Sequence, residues 1–159
     1  MKKNFLIISL FLCMVLSMPY AEEIIGEIET IKGDVEITRN GEIYDAYDLD
    51  TGEPIENYDL IHTYSNGEMV IRLTSPLCPD TVVTIEPGTT FNIEVSKLQT
   101  KNQTTLGMIT GGLALAVQGL AKNQDFNVET ESAVMGVRGT TFGVGASPGG
   151  EIVVACEEG

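Results

Sequence analysis

His62 is the only histidine of the chain and the first candidate for acid–base chemistry. It alternates with Leu60 on a predicted strand, and no motif supplies the partner that a general base needs within hydrogen-bond reach. The glycines of the C-terminal third lack the Lys-Ser or Lys-Thr pair that completes a phosphate-binding loop. The sequence therefore predicts no catalytic residue and no cofactor, and we expect a protein that is not an enzyme.

Metal binding is the second chemistry to consider, because carboxylates gather in one predicted loop. Four weak calcium candidates surround Gly52: Asp45, Asp48, Asp50 and Glu53. Counted from Asp48, the glutamate that closes a calcium loop would fall near Asp59, and the pattern predicts no flanking helices. A solvated acidic loop is the alternative. We expect no bound metal, since the motif requires its whole ligand set.

An export signal is predicted in residues 1–21. Two lysines precede an apolar stretch from Phe5 to Leu16, which is shorter than the roughly 20 residues that a membrane-spanning helix needs. We expect cleavage after Ala21; lipid attachment at Cys13 is the alternative, which its bulky neighbours disfavour. Residues 22–159 then form one exported domain, in the periplasm or at the cell surface of a bacterium.

The predicted exported part is strongly acidic. It keeps seven of the nine basic residues and all 23 acidic ones, a formal charge of −16. Nucleic acid and anionic lipid are therefore poor partners, because both would repel this surface. No transmembrane helix is expected, since Leu106 to Leu120 contains four glycines and is too short to span a bilayer. Cys78 and Cys156 could form a disulfide in an oxidising compartment, but the sequence does not fix their separation.

Short β-branched runs, separated by turn residues at spacings of about ten, predict an all-β fold. Val35 and Ile37 share one strand face ahead of Asn40-Gly41, the dipeptide of a tight hairpin. Leu113 to Lys122 also suits a helix by its Leu and Ala content, but its glycines favour a buried strand ending in a turn. We expect a single domain of short antiparallel strands, arranged as a sandwich or a β-solenoid-like stack. The predicted core residues are Val35, Ile37, Ile61, Val70, Ile71, Val83, Ile85, Phe91, Phe126, Val128, Val137 and Phe142.

The densest pattern runs from Phe126 to Val144 and reads FNVETESAVMGVRGTTFGV. It resembles the C-terminal signature of the FecR domain family, of the form F-x-V-x-T-x-x-A-x-x-x-V-R-G-T-x-F-x-V. Tyr58 to Thr63 resembles the family phrase Gly-Asp-x-Ile-x-Thr, with Tyr58 in place of the glycine. The resemblance covers nearly all of the predicted exported part and is strongest in its last third.

Arg138 is the residue of this signature that could carry binding, because a guanidinium pairs with carboxylate or phosphate. We favour a structural clamp to a carbonyl or an internal carboxylate, since an arginine inside an apolar phrase must be paired. Gly136 and Gly139 would let the backbone turn tightly or pass close to a neighbouring strand. The signature residues interpreted as structural are Gly136, Val137, Arg138, Gly139, Thr140 and Phe142.

The best-known FecR proteins place this domain after a cytoplasmic segment and a membrane helix, and control an extracytoplasmic sigma factor. Because an export signal is predicted here instead, the resemblance implies the envelope-side module alone, a binding or sensory domain that recognises an unidentified envelope protein or small ligand and relays a signal or acts as a scaffold. The family pattern also adds a strand after Ile152 to Ala155. Its absence predicts either a longer protein or an unpaired edge that recruits a partner strand. A structural or adhesive surface domain is the alternative function.

Overall fold

The computed structural model describes residues 23–97, 100–137 and 141–156. Within these ranges the chain forms thirteen strands and no helix, which confirms the all-β prediction. The strands are β1 Ile24–Lys32, β2 Val35–Arg39, β3 Glu42–Asp45, β4 Pro54–Glu56, β5 Leu60–Thr63, β6 Glu68–Leu73, β7 Asp80–Ile85, β8 Thr90–Lys97, β9 Asn102–Gln118, β10 Gln124–Glu129, β11 Val134–Val137, β12 Thr141–Ala146 and β13 Ile152–Cys156. Nothing among the described residues forms a helix that could cross a membrane.

The strands form one continuous sheet that folds into two layers. Layer 1 has the order β4-β1-β6-β7-β9-β12-β13, and layer 2 has the order β3-β2-β5-β8-β9-β10-β11. Strand β9 belongs to both layers: its first half pairs with β8 and β10, and its second half pairs with β7 and β12. All pairs are antiparallel except β9 with β10. Gly111, whose φ of +100° suits only glycine, lies where β9 passes from one layer to the other.

The chain crosses between the layers along two seams. Five described crossings lie along the first, which we call the glycine seam because each contains a glycine: Gly33, Gly52, Gly67, Gly88 and Gly111. An added Cβ would lie only 2.0 Å from Asn66 O at Gly33 and 2.0 Å from Asp34 O at Gly67. Adjacent turns therefore stack with no room for a side chain, which is the close backbone approach that glycine permits. Two described crossings, residues 57–59 and 119–123, lie along the opposite seam.

The buried side chains of the two layers form a single core, so the fold is a sandwich whose chain passes repeatedly from one layer to the other. Eleven of the twelve predicted core residues are buried there. Val70 is the exception. It lies on the face of β6 opposite to Met69 and Ile71, because successive residues of a strand point to opposite faces.

The predicted turns and strands agree well with the structure. Asn40 and Gly41 both have positive φ, +52° and +84°, as the tight hairpin between β2 and β3 requires. Residues 113–118 form the buried end of β9, followed by a turn at Gly119. The short strand β4 at the end of the acidic loop was not predicted, nor was β11, which the sequence presented as a link of small residues.

Candidate functional site

His62 lies half-buried on β5. Its Nδ1 is 2.6 Å from Thr90 Oγ1 on β8, and its ring meets the ring of Tyr64 edge-on, with centroids 4.5 Å apart. Both contacts hold the imidazole against the surface of layer 2. Neither partner is a carboxylate or a thiol, so these contacts do not form an acid–base pair of the kind that activates a nucleophile.

The interpretation of the sequence expected no serine in a Gly-x-Ser-x-Gly elbow, but residues 145–149 do carry this spacing of a nucleophilic serine. In a hydrolase this spacing lies between a strand and a helix, where a sharp turn exposes the serine. Here Ser147 begins the turn between β12 and β13, and its Oγ accepts a hydrogen bond from the Glu151 amide at 3.3 Å. In this protein a β-hairpin stands where a hydrolase has its strand-to-helix turn. The glycines and Ser147 therefore form a hairpin turn and not a nucleophile elbow.

The four weak calcium candidates lie along successive turns between β3 and β4. The Asp45 carboxylate accepts a hydrogen bond from the Tyr47 amide at 2.8 Å, and the Glu53 amide donates to Asp50 O at 3.2 Å. Across the described residues, no group of three or more His, Cys, Asp or Glu side chains is placed to hold a metal ion. The loop is pinned to the fold by its backbone, through a 2.8 Å bond from the Gly52 amide to Ile28 O.

Cys78 and Cys156 are free thiols in the structure. Cys78 is buried beside the loop between β6 and β7, where its Sγ lies 3.3 Å from Ser75 O. Burial raises the pKa of this thiol to about 11. Cys156 is exposed on β13. A protonated, buried Cys78 is a core residue and not a reactive one.

A buried clamp around Arg39 was not predicted. Its guanidinium donates to both carboxylate oxygens of Asp59, at 2.9 and 2.7 Å, and to Pro54 O at 2.8 Å. Its third nitrogen lies 2.9 Å from the carboxylate of Glu56. The ring of Tyr44 lies 5.7 Å from the guanidinium carbon. The hydrogen bond to Asp59 is the main cause that raises the pKa of Arg39 above its ordinary value.

This clamp joins the two layers at the first crossing of the opposite seam. Arg39 ends β2 in layer 2, whereas Pro54 and Glu56 belong to β4 in layer 1. Asp59 is 1% exposed and also accepts a hydrogen bond from the Glu56 amide at 2.9 Å. An arginine in an acidic chain thus has the structural role expected for Arg138, at a position where a buried carboxylate requires a cation.

The residues that define the family phrase at 58–63 have structural roles at the first crossing of the opposite seam and in β5. Tyr58, which replaces the family glycine, has a φ of +73° and is 63% exposed. This left-handed conformation is the physical reason for a glycine there. Asp59 binds Arg39, and Ile61 is in the core. The Thr63 hydroxyl donates to Glu86 O at 2.6 Å and accepts from the Thr89 amide at 3.0 Å, which fixes the crossing between β7 and β8.

The first half of the C-terminal signature forms a strand and a turn. Phe126 and Val128 are buried on β10, and the Thr130 and Ala133 backbones close the turn to β11 with a 2.8 Å hydrogen bond. Val137 and Phe142 are also buried. Arg138, Gly139 and Thr140 lie outside the described residues.

Gly136 differs from the role expected of it. Its φ is not positive, and the nearest heavy atom to an added Cβ is Asn127 Oδ1, 3.7 Å away. Neither a tight turn nor a close passage of backbone requires glycine at this position.

The edge of β13 is the most exposed apolar element that the structure describes. Val153 is 68% and Val154 50% exposed, on opposite faces of the strand, and β13 pairs only with β12. The Ser147 amide donates to Glu151 O at 3.0 Å, so the next hydrogen-bonded pair is Gly145 with Val153. By the same alternation, the N–H and C=O groups of Ile152, Val154 and Cys156 point outward from the sheet.

The other edges of the two layers carry the features that prevent strand addition. Strand β3 has Glu42 and Asp45, and β4 is three residues long and begins with Pro54. Strand β11 has four residues, one of them Gly136. By contrast, β13 has five residues and no charge, proline or glycine. It is the edge best suited to accept another strand.

Residues 59–159 match the family model described as FecR protein. The match includes both phrases discussed above except Tyr58. No curated protein and no solved structure matches the chain.

Proposed function

The chain belongs to the FecR family, and on that premise we propose that it is an exported, non-enzymatic binding module of the bacterial envelope that receives its partner at β13. The family is regulatory, associated with the envelope and not known for catalysis. The predicted signal peptide supports export. One observation carries the proposal. Strand β13 has no charged residue, exposes valines on both of its faces, and points backbone N–H and C=O groups away from the sheet.

A partner that pairs with β13 would supply an extended strand, because backbone hydrogen bonds give such contacts their affinity. Its side chains would cover Val153 on one face and Val154 on the other. Glu151 precedes β13, and Glu157 and Glu158 follow it in the sequence. Basic residues at the ends of the partner strand would therefore favour binding.

The test is capture of envelope proteins from the native organism by purified residues 22–159, with two proline variants compared. Val154→Pro removes an outward N–H and leaves the pairing with β12 intact. Ile43→Pro makes the matched change on β3, since the hairpin at Asn40-Gly41 also points the Ile43 N–H outward. We expect one envelope protein to be retained by the wild type and by Ile43→Pro, and lost by Val154→Pro.

Two other outcomes would change the conclusion. If Val154→Pro retains the partner as well as the wild type does, β13 is not the contact surface. If all three proteins capture only copies of themselves or cell-wall polymer, the structural or adhesive alternative replaces the sensory function.

A further inference from the structure

A cleft of about 740 Å³ lies beside the second crossing of the opposite seam. Residues of the β9–β10 loop form one side, and the paired strands β10 and β11 form the other. Its size falls within the range of small-molecule sites, roughly 300–1,000 Å³.

The charge of this cleft is opposite to that of the protein. Its lining contains Lys101, Lys122 and a single carboxylate, Asp125, in a chain with a net charge of −14. Both oxygens of Asp125 accept hydrogen bonds from Lys101 Nζ, at 3.0 and 2.9 Å. Lys122 is exposed on the loop and makes no salt bridge within the described part of the chain.

The remaining basic residues with described ion pairs lie in the N-terminal half, and each is matched there by carboxylates. Lys32 binds Glu68, Arg39 binds Glu56 and Asp59, and Arg72 binds Glu29 and Asp80. At physiological ionic strength, charges beyond about 8 Å are largely screened. Lys101 and Lys122 are the described basic residues that line the cleft, so they are placed to attract an anion there.

Apolar residues form part of the cleft lining, and the cleft leaves open space. Leu120, Phe126 and Val137 line it and pack against the core. Gly136 lines it as well, and the only heavy atom within 4 Å of an added Cβ is Asn127 Oδ1. Because no backbone constraint requires a glycine there, the missing side chain is explained by the space it leaves in the cleft.

We propose that this cleft binds a small organic anion, with a carboxylate or phosphate beside Lys101 and Lys122 and an apolar body over Leu120 and Gly136. The inference rests on the proposed binding function and gives it a ligand site distinct from β13. Asp125 holds Lys101 in place, while Lys122 supplies the unmatched charge. The two amide side chains of the lining, Gln124 and Asn127, add polar contacts.

The test uses 2-naphthoate as the anionic probe and 2-naphthamide as its neutral counterpart, titrated into residues 22–159. The chain has no tryptophan, so naphthalene fluorescence is read without protein background. We expect naphthoate to bind at least fivefold more tightly than naphthamide. Lys122→Gln should weaken naphthoate binding by about threefold to fivefold, as expected for one partly exposed charge pair, and Lys32→Gln should leave it unchanged.

Gly136→Val separates a binding role from a structural one. Valine suits a strand and meets no close backbone atom, so thermal stability should stay the same or rise. Its side chain fills the cleft, so naphthoate binding should fall tenfold or more. Absence of naphthoate binding at millimolar concentration, equal affinity for both probes, or unchanged binding in Gly136→Val would each overturn the proposal.

Failure here is distinguishable from failure of the proposed function. The Val154→Pro variant should bind naphthoate normally, and Gly136→Val should still capture the envelope partner. Loss of naphthoate binding with intact partner capture would refute the cleft alone. Normal naphthoate binding with no partner capture would refute the β13 surface alone.

Discussion

The two described crossings of the opposite seam perform the same task in different ways. Both take the chain from layer 1 to layer 2, at residues 57–59 and 119–123. At the first, a partly buried arginine binds a carboxylate that is 1% exposed. At the second, Lys101 binds Asp125 in an exposed pair. We call the first crossing sealed, because its buried polar groups are paired and packed within the fold. The second crossing is open, because a cleft lies beside it.

The same contrast extends to the strands at the edges. The N-terminal edges β3 and β4 carry charges or a proline, whereas the C-terminal edge β13 has neither. Stability is concentrated where polar groups are buried and paired, and binding surface is available where they are not. Under the proposed function, the N-terminal part would serve as the scaffold, and the C-terminal part, which carries the family signature, would offer the contact surfaces.

The largest effect should come from removing the cation of the first crossing. Arg39→Ala leaves Asp59 and Glu56 buried without their partner, which costs about 3 kcal/mol or more for a broken buried ion pair. Urea denaturation at neutral pH measures the loss. Lys101→Ala is the matched change at the second crossing and should cost less than about 1 kcal/mol, because its pair is exposed. Equal losses in the two variants would remove the distinction between a sealed and an open crossing.

A second contrast compares two fully buried threonines. The Thr63 hydroxyl in the N-terminal half makes hydrogen bonds to Glu86 O and the Thr89 amide. The Thr104 hydroxyl, on β9 between Val95 and Phe126, has no partner. Thr63→Val should therefore cost about 1–3 kcal/mol, because the buried Thr89 amide and the partly buried Glu86 carbonyl lose their partner. Thr104→Val should be neutral or stabilise by up to about 1 kcal/mol.

Chemical denaturation of both valine variants checks this contrast, and serine at each position is the control. Thr63→Ser keeps the hydroxyl and should recover most of the loss. A Thr104→Val variant as unstable as Thr63→Val would mean that the Thr104 hydroxyl is satisfied in solution, for example by a buried water.

Local patterns were enough to predict the strands, the Asn40-Gly41 hairpin and most of the core, because alternation and turn chemistry act within a few residues. Val70 was misplaced because an apolar run on a strand does not show which alternate residues face inward. The length of β9 was also missed, since its two halves belong to different layers and the glycines between them resemble a break.

The interactions distant in sequence could not be predicted. Arg39 and Asp59 are 20 residues apart, and only the folded chain shows that β2 and the first crossing meet. The cleft combines residues from β9 to β11, and the exposure of β13 depends on which strand lies at the edge. The family phrase gave one usable signal, because a tyrosine in place of a glycine marks a position with unusual backbone geometry.

That position gives the smallest predicted effect and the most direct comparison of the two crossings. Each contains one residue with positive φ, Tyr58 at +73° in the first and Gly119 at +54° in the second. Tyr58→Gly should stabilise the protein by roughly 0.5–1 kcal/mol. The substitution relieves about 1–2 kcal/mol of strain in the left-handed backbone conformation. This gain exceeds the cost of about 0.4–1 kcal/mol that arises because glycine gives the unfolded chain more conformational entropy.

Gly119→Ala is the reciprocal change and should destabilise by about 1 kcal/mol, since an added Cβ meets no atom within 4 Å and only the backbone is strained. Tyr58→Ala keeps the strain at the first crossing and removes the ring, so it measures what the ring contributes. If Tyr58→Gly and Tyr58→Ala are equally destabilising, contacts of the ring outweigh the strain. The exposed Tyr58 side chain would then be part of the folded scaffold, and the sealed crossing would owe its stability to more than the Arg39 clamp.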